Sequence, residues 1–181
     1  MDKIKFKDFE ETIEKIVRQN LVFPEELEYY ELHKERIFYG LNLLLNFTNW
    51  EPTSKVLDVG SAPGYASIFL KKLGYDVRGV NYITRKNFKE RMNRMSIPID
   101  VCNIDSEQLP YKKGEFDLVV FFEVIEHLLN PHHALNEIYK VLRDEGVLIL
   151  STPNLSKLSN RIRLLAGKSI NPEETFLRKC L

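Results

Sequence analysis

Lys55-Val56-Leu57-Asp58-Val59-Gly60-Ser61-Ala62-Pro63-Gly64-Tyr65 is the stretch that decides the fold of this chain. An apolar run carries Asp58, a loop with two glycines follows, and a helical pattern starts at once. That is a strand, a tight turn and a helix N-terminus. Gly60 and Gly64 let the backbone turn sharply and let a ligand approach without meeting a Cβ. The N–H groups of a helix start, with Asp58 beside them, can hold polar parts of that ligand.

The same unit recurs downstream. Ala66, Phe69, Leu70 and Leu73 follow helical spacing, and Gly74 closes the helix. Asp76 to Val80 reads as a second strand ending at Asn81, Ile83 to Met95 as a basic helix, and Ile97 to Cys102 as a third strand. Pro98 suits an edge position for that strand. Phe116 to Phe122 is almost wholly apolar, as for a strand buried on both faces. Asn130 reads as an N-cap with Pro131 at the first helical position, and Ala134, Leu135, Ile138, Val141 and Leu142 form that helix's apolar face. Asp144-Glu145-Gly146 turns into a fifth strand, Val147 to Ser151, and Ser156 to Leu165 reads as one more helix. Strand and helix in alternation predict an α/β, doubly wound parallel sheet with helices on both faces and right-handed crossovers. Ligands of such sheets bind at the carboxyl ends of the strands. The glycine turn, Asn81, Asp105 and Glu123 all fall there.

Upstream, residues 1–50 read as helical, with Pro24 opening a second helix. Two readings stand for this segment. It packs on the core through an amphipathic face, or it forms a lid that turns Tyr30 and His33 toward a ligand. The chain divides accordingly into a helical lid segment at 1–50, a ligand-binding core at 51–166 and a short tail at 167–181.

Lys+Arg and Asp+Glu both number 26, which excludes a global electrostatic footprint for nucleic acid. The basic cluster Arg85, Lys86, Lys89, Arg91 and Arg94 is expected to be a solvated helix face. Cys102 and Cys180 suggest neither a disulfide framework nor a metal site, and Cys102 is expected to be a buried small hydrophobe. The first residues are charged and lack an apolar signal core. No apolar stretch approaches the ~20 residues that span a membrane. The cytoplasm is the expected location.

The loop itself discriminates among nucleotide-like ligands. A dinucleotide fingerprint needs a middle glycine against the pyrophosphate. Here Ala62 stands in that place and Pro63 removes an N–H donor, so the loop suits a ligand without a pyrophosphate and disfavours a dehydrogenase.

The residues now carry a family resemblance. Asp58-x-Gly60-x-x-x-Gly64 after an apolar strand resembles the first motif of class I S-adenosylmethionine-dependent methyltransferases. Ile104-Asp105, Leu109-Pro110, Phe116-Asp117-Leu118-Val119, Glu126-His127-Leu128, Val141-Leu142-Arg143, Gly146-Val147-Leu148 and Thr152-Pro153-Asn154 resemble its later motifs in order. The group it most resembles includes ubiquinone-pathway enzymes. The resemblance implies a Rossmann-like sheet of strand order 3-2-1-4-5 and S-adenosyl-L-methionine as cofactor. It also implies a final antiparallel hairpin that the sequence after Leu165 does not show. Position by position, it places Gly60, Ser61 and Gly64 against the methionine part, with Asp58 holding the amino group directly or fixing the loop. Asn81 stands at the ribose, where the family carries an acid. Tyr82 and Ile83 flank the adenine, Ile104 packs on it, and Asp105 accepts from its amine. Glu123 belongs to the same cofactor set, and His127 is a candidate general base or a structural cap.

Three functional readings follow. The first is transfer of a methyl group to oxygen or nitrogen of a small-molecule or sugar-type acceptor. The second is a non-catalytic cofactor- or partner-binding protein on the same scaffold. The third is a magnesium-dependent O-methyltransferase, because Glu123, Glu126 and His127 resemble the metal motif of such enzymes, although no later His follows His133 to complete it. A strand five left at the sheet edge offers a surface on which two copies can pair.

Overall fold

The computed structural model of the chain describes residues 5–18, 24–47, 53–154 and 156–168. Two helices come first, α1 (Phe6–Arg18) and α2 (Pro24–Phe47), with Pro24 at the start of the second as expected. The alternating part then runs β1 (Lys55–Val59), α3 (Tyr65–Lys72), β2 (Asp76–Asn81), α4 (Lys86–Arg94), β3 (Ile99–Val101) and β4 (Phe116–Phe122). A single 3-10 turn (Ile125–His127), α5 (Pro131–Val141) and β5 (Leu142–Ser151) follow. The strands form one sheet in the order β3-β2-β1-β4-β5, and every pairing is parallel. This is the Rossmann-like order that the resemblance implies. β1 has β2 on one side and β4 on the other, so the glycine loop leaves the sheet at the point where the winding reverses.

Alternation along the strands explains the two layers. Val56, Leu118, Val120 and Phe122 point to one face, where Phe9 and Ile13 of α1, Leu41 and Leu44 of α2, Phe69 of α3 and Met92 of α4 cover them. Leu57, Val59, Val119 and Phe121 point to the other face, under Ala134, Ile138 and Val141 of α5. Each fully buried side chain of this kind contributes about 1.5–3 kcal/mol. Gly40 makes one close contact in this core possible. A Cβ there would stand 2.5 Å from Cζ of Phe122, so only a bare backbone lets α2 settle on the end of β4.

Several local expectations hold. β3 is an edge strand, Asn130 caps α5 by accepting from the His133 N–H at 3.2 Å, and Cys102 is buried. Two differ. β5 begins at Leu142 rather than Val147, and the expected turn is an irregularity inside it, with Glu145 at φ 62 and the register jumping between Phe116↔Leu142 and Leu118↔Val147. Arg91 is not on a solvated face: it is 1% exposed, the largest fully buried side chain among the described residues. Residues 169–181, where a final hairpin would begin, lie outside the described residues.

The chain separates into two units, Met1–Ser151 and Thr152–Leu181. The second contains α6 (Leu158–Leu165), entered through a turn in which Asn154 accepts from the Ser156 N–H at 3.0 Å. Among the described residues, no helix is long and apolar enough to cross a membrane.

Candidate functional site

The glycine loop is fixed mainly by the strand beside it. Gly60 N–H donates to the Val80 carbonyl at 2.8 Å and Ser61 N–H to the same oxygen at 3.4 Å. Ala62 N–H donates to Asn81 Oδ1 at 3.1 Å, and Asn81 Nδ2 donates to Ser61 Oγ at 2.9 Å. Ser61 can lie this close to β2 because Gly79 has no side chain; a Cβ there would be 2.4 Å from Ser61 Oγ. Three consecutive N–H groups of the loop therefore face β2, and Pro63 has none to offer. A phosphate cradle needs those donors turned outward. The direction of the loop's N–H groups thus adds to the reasons that disfavour a dinucleotide.

Asp58 sits under this loop, 4% exposed. Its Oδ2 accepts from Ser67 Oγ at 2.5 Å, in the first turn of α3. Burial pushes its pKa up to about 6, against the lowering pull of hydrogen bonds from the Ser67 hydroxyl and N–H. Asp58 thus braces the loop and the helix start.

A cleft of about 340 Å³ opens at the carboxyl ends of β1, β2 and β3. That lies within the range of small-molecule sites. Gly60, Asn81, Tyr82, Ile83, Ile104, Asp105 and His127 line it, so seven of the predicted residues meet in one place. Val59, Val80, Cys102, Asn103, Val124 and Leu128 complete the lining, beyond what the motifs indicate. Val124 matters most among them. At Gly60, with φ +76, a Cβ would stand 2.2 Å from Val124 Cγ2. The apolar residue inside the Glu-x-x-Glu-His pattern is the signal that could have found it.

Asp105 lines the cleft while holding the start of α5. Its Oδ1 accepts from the Asn130 N–H at 2.7 Å and its Oδ2 from the Leu129 N–H at 3.0 Å. A carboxylate oxygen has a second lone pair, so each can still accept a ligand proton. Asn81 is in the expected place, yet both ends of its amide serve the loop.

Asp58, Ser61 and Gly64 line a second, much smaller gap, about 20 Å³, beneath α2 with Tyr29, Ile37 and Phe122. Here the sequence reading of α2 needs correction. Tyr30 does not face a ligand: it is 3% exposed, packed 5.0 Å from the Tyr65 ring and 6.1 Å from Phe9, and burial raises its pKa to about 12. Its neighbour Tyr29 faces the gap instead and stacks on His33 at 4.2 Å. His33 is itself only 2% exposed.

Glu123 also departs from expectation, because it does not line the cleft. Its backbone turns at φ 56 and its carboxylate is buried, ion-paired with Arg36 of α2 at 2.6 Å. Its Oε1 accepts from Ser151 Oγ at 2.9 Å, and His33 Nδ1 stands 3.7 Å from Oε2. Burial pulls its pKa up, but His33, Ser151 and Arg36 together outweigh burial and hold it below the ordinary value. Arg36 also donates to His33 Nδ1 at 2.6 Å, since a guanidinium can only donate. Glu126 and His127 are exposed. Among the described residues, no three His, Cys, Asp or Glu side chains come together as a metal site, so the Glu123, Glu126 and His127 set does not converge.

A sheet of this order, with a glycine loop at the reversal and a cleft beside it, has a family counterpart. The model of a methyltransferase domain matches residues 31–178, well over half of the chain. The chain belongs to that methyltransferase family. The curated "Probable S-adenosylmethionine-dependent methyltransferase" of Mycolicibacterium smegmatis is 33% identical over 124 residues, covering 66% of this chain and 44% of that protein. The mitochondrial ubiquinone biosynthesis O-methyltransferase of Rattus norvegicus is 31% identical over 142 residues, covering 71% of this chain and 41% of its own length. The methyltransferase match therefore spans less than half of these two relatives. Among solved structures, a Pyrococcus horikoshii protein superposes with a TM-score of 0.62 at 24% identity, covering 77% of this chain and 69% of that one. That similarity speaks for the fold.

Proposed function

We propose that the chain is an S-adenosyl-L-methionine-dependent methyltransferase acting on an oxygen or nitrogen of a small-molecule or sugar-type acceptor. One observation carries the reading. A cleft lined by apolar Ile83 and Ile104 together with polar Asn81 and Asp105 ends on a glycine turn whose N–H groups are engaged by β2. That combination supports a ligand with a nucleoside and without a pyrophosphate. Family membership and the names of the relatives support the same cofactor. The bound cofactor supplies a methyl already activated on a sulfonium, so the protein mainly binds and orients. In this reading Tyr82 and Ile83 flank the adenine, Ile104 packs on it and Asp105 accepts from its amine. Asn81 meets the ribose edge, and Gly60, Ser61 and Gly64 back the methionine part. His127 takes the proton of a hydroxyl or amine acceptor. A lid role for the 1–50 segment over a core at 51–166 rests on Tyr29, which reaches the gap beside the glycine loop. The name of the rat relative favours oxygen as the accepting atom. The pairing of Glu123 with Arg36 disfavours the metal-assisted variant.

Calorimetric titration with S-adenosylmethionine, S-adenosylhomocysteine and NAD tests the cofactor. Binding of the first two and not the third is expected. A folded sample that ignores S-adenosylmethionine sinks the reading. Methyl transfer from radiolabelled cofactor into small-molecule pools then tests the acceptor class, and transfer confined to macromolecules counts against it.

A further inference from the structure

Arg91 lies on α4, outside both cavities, and the proposed reaction assigns it no role. Its guanidinium is buried and reaches two other elements at once. Nη1 and Nη2 donate to Glu26 Oε2 and Oε1 of α2 at 2.8 and 3.0 Å, a bidentate pair. Nη2 also donates to the Pro63 carbonyl of the glycine loop at 2.7 Å. The planar fork makes this geometry possible; a point-charge ammonium could not hold the carboxylate bidentately and the carbonyl together. A buried charge is tolerated only when it is paired, so Arg91, Glu26 and the Pro63 carbonyl constrain one another. The helix around Arg91 tightens the arrangement. Met92 Sδ and the Phe88 ring close on Gly64, where a Cβ would stand 2.7 Å from the sulfur. From the other side Tyr65 Oη donates to the Glu26 carbonyl at 2.6 Å. The beginning of α2 is thus fastened to both ends of the loop-to-α3 joint.

We infer that Arg91 is a positioning residue that makes the cofactor loop and α2 one mechanical unit, so that occupancy of the loop is felt by α2. The inference rests on the methyltransferase reading for what the loop binds. The coupling itself is a property of the ligand-free chain. Loosening α2 at Glu26 releases the Pro63 carbonyl's partner, and the loop loosens with it. A ligand that stiffens the loop stiffens α2 through the same guanidinium.

Hydrogen–deuterium exchange on the full chain tests this, with E26M, E26Q and R91M beside the wild type and circular dichroism to confirm folding. Without ligand, E26M is expected to speed exchange in both the α2 peptides and the 60–72 peptide, by about tenfold, as for loss of one charge-assisted hydrogen bond. R91M is expected to do the same. E26Q, which keeps the shape and loses the charge, is expected to give a smaller change in the same two regions, and it carries the test if the methionine variants do not fold. Faster exchange in α2 alone, with 60–72 unchanged, would overturn the inference. With S-adenosylhomocysteine, the wild type should slow in both regions and E26M in the loop only. If the wild type does not bind that ligand, the methyltransferase reading fails, while the ligand-free comparison still decides the role of Arg91.

Discussion

Replacing Asp58 by Asn should make the protein more stable at neutral pH and weaken it as a cofactor binder. The folded state holds a proton on Asp58 more tightly than the unfolded chain does, because burial raises its pKa from 3.8 to about 6. Folding therefore takes up protons between about pH 4 and pH 6, and this residue costs the wild type stability as the pH rises through that window. A gap of about two pH units amounts to roughly 3 kcal/mol above pH 6. An amide at this position never bears the charge, and its Oδ1 can still accept from Ser67. Loss of a carboxylate at the start of α3 returns about 0.3–1 kcal/mol in the other direction. The expected net gain is about 2 kcal/mol at pH 7.5, vanishing near pH 4. Urea unfolding of both proteins across that range measures it, and taking the difference cancels every other titrating group. An Asp58→Asn variant less stable than wild type at pH 7.5 (or a difference that does not change with pH) would refute the assignment of a desolvated carboxylate. Calorimetry with S-adenosylhomocysteine should show weaker binding by the more stable variant if the Asp58 charge also serves the amino group of the proposed ligand, which it would meet in the gap beside Ser61 and Gly64.

Asn81→Asp should bind S-adenosylhomocysteine about tenfold more tightly, because a carboxylate can accept hydrogen bonds from the Ala62 N–H and the Ser61 hydroxyl and still offer a charged oxygen to a ribose; weaker binding would remove Asn81 from the ribose edge. Gly60→Ala should cost about 2–5 kcal/mol, from a left-handed backbone at φ +76 and a Cβ driven into Val124. Its melting temperature should fall clearly, and an unchanged value would argue against that packing. Glu123→Gln should destabilise by about 1–3 kcal/mol at pH 7. Because the folded pKa of Glu123 is depressed, its contribution is present above the ordinary value of 4.5 and lost as the pH falls below it, so the gap between the two proteins should close in acid.

The parts of this molecule legible in its sequence are those set by local chemistry. Apolar runs, glycine punctuation, Pro24 and the Asn130 cap each act within a few residues, and together they specify the order of elements and the sheet edge that bears the cleft. Arg91 escapes such a reading because its partners Glu26 and Pro63 lie 65 and 28 positions away, and its neighbours Lys89 and Arg94 do face water. Tyr29 and Tyr30 differ by one position, which on a helix is roughly 100° of rotation. The aromatic pair alone carries no phase, and burial against Phe9 and Tyr65 assigns Tyr30 to the core. The position of Glu123 at the end of β4 is legible, but its direction depends on Arg36, a residue of α2 that looks like any surface arginine. The early start of β5 depends on a backbone irregularity at Glu145 that residue type does not announce.

The hydrogen bonding of the glycine loop has one more consequence. Gly60 and Ser61 both donate to Val80, and Ala62 donates to Asn81, so the loop is in effect the last rung of the β1–β2 ladder. Loops on protein surfaces lose conformational entropy when a ligand orders them, and affinity falls by that amount. Here the rungs from Gly60, Ser61 and Ala62 to β2 are ordered during folding, and what a ligand still stiffens is the stretch from Pro63 into α3. Part of the entropy cost of capture thus moves from the turn to the ligand's own flexible chain.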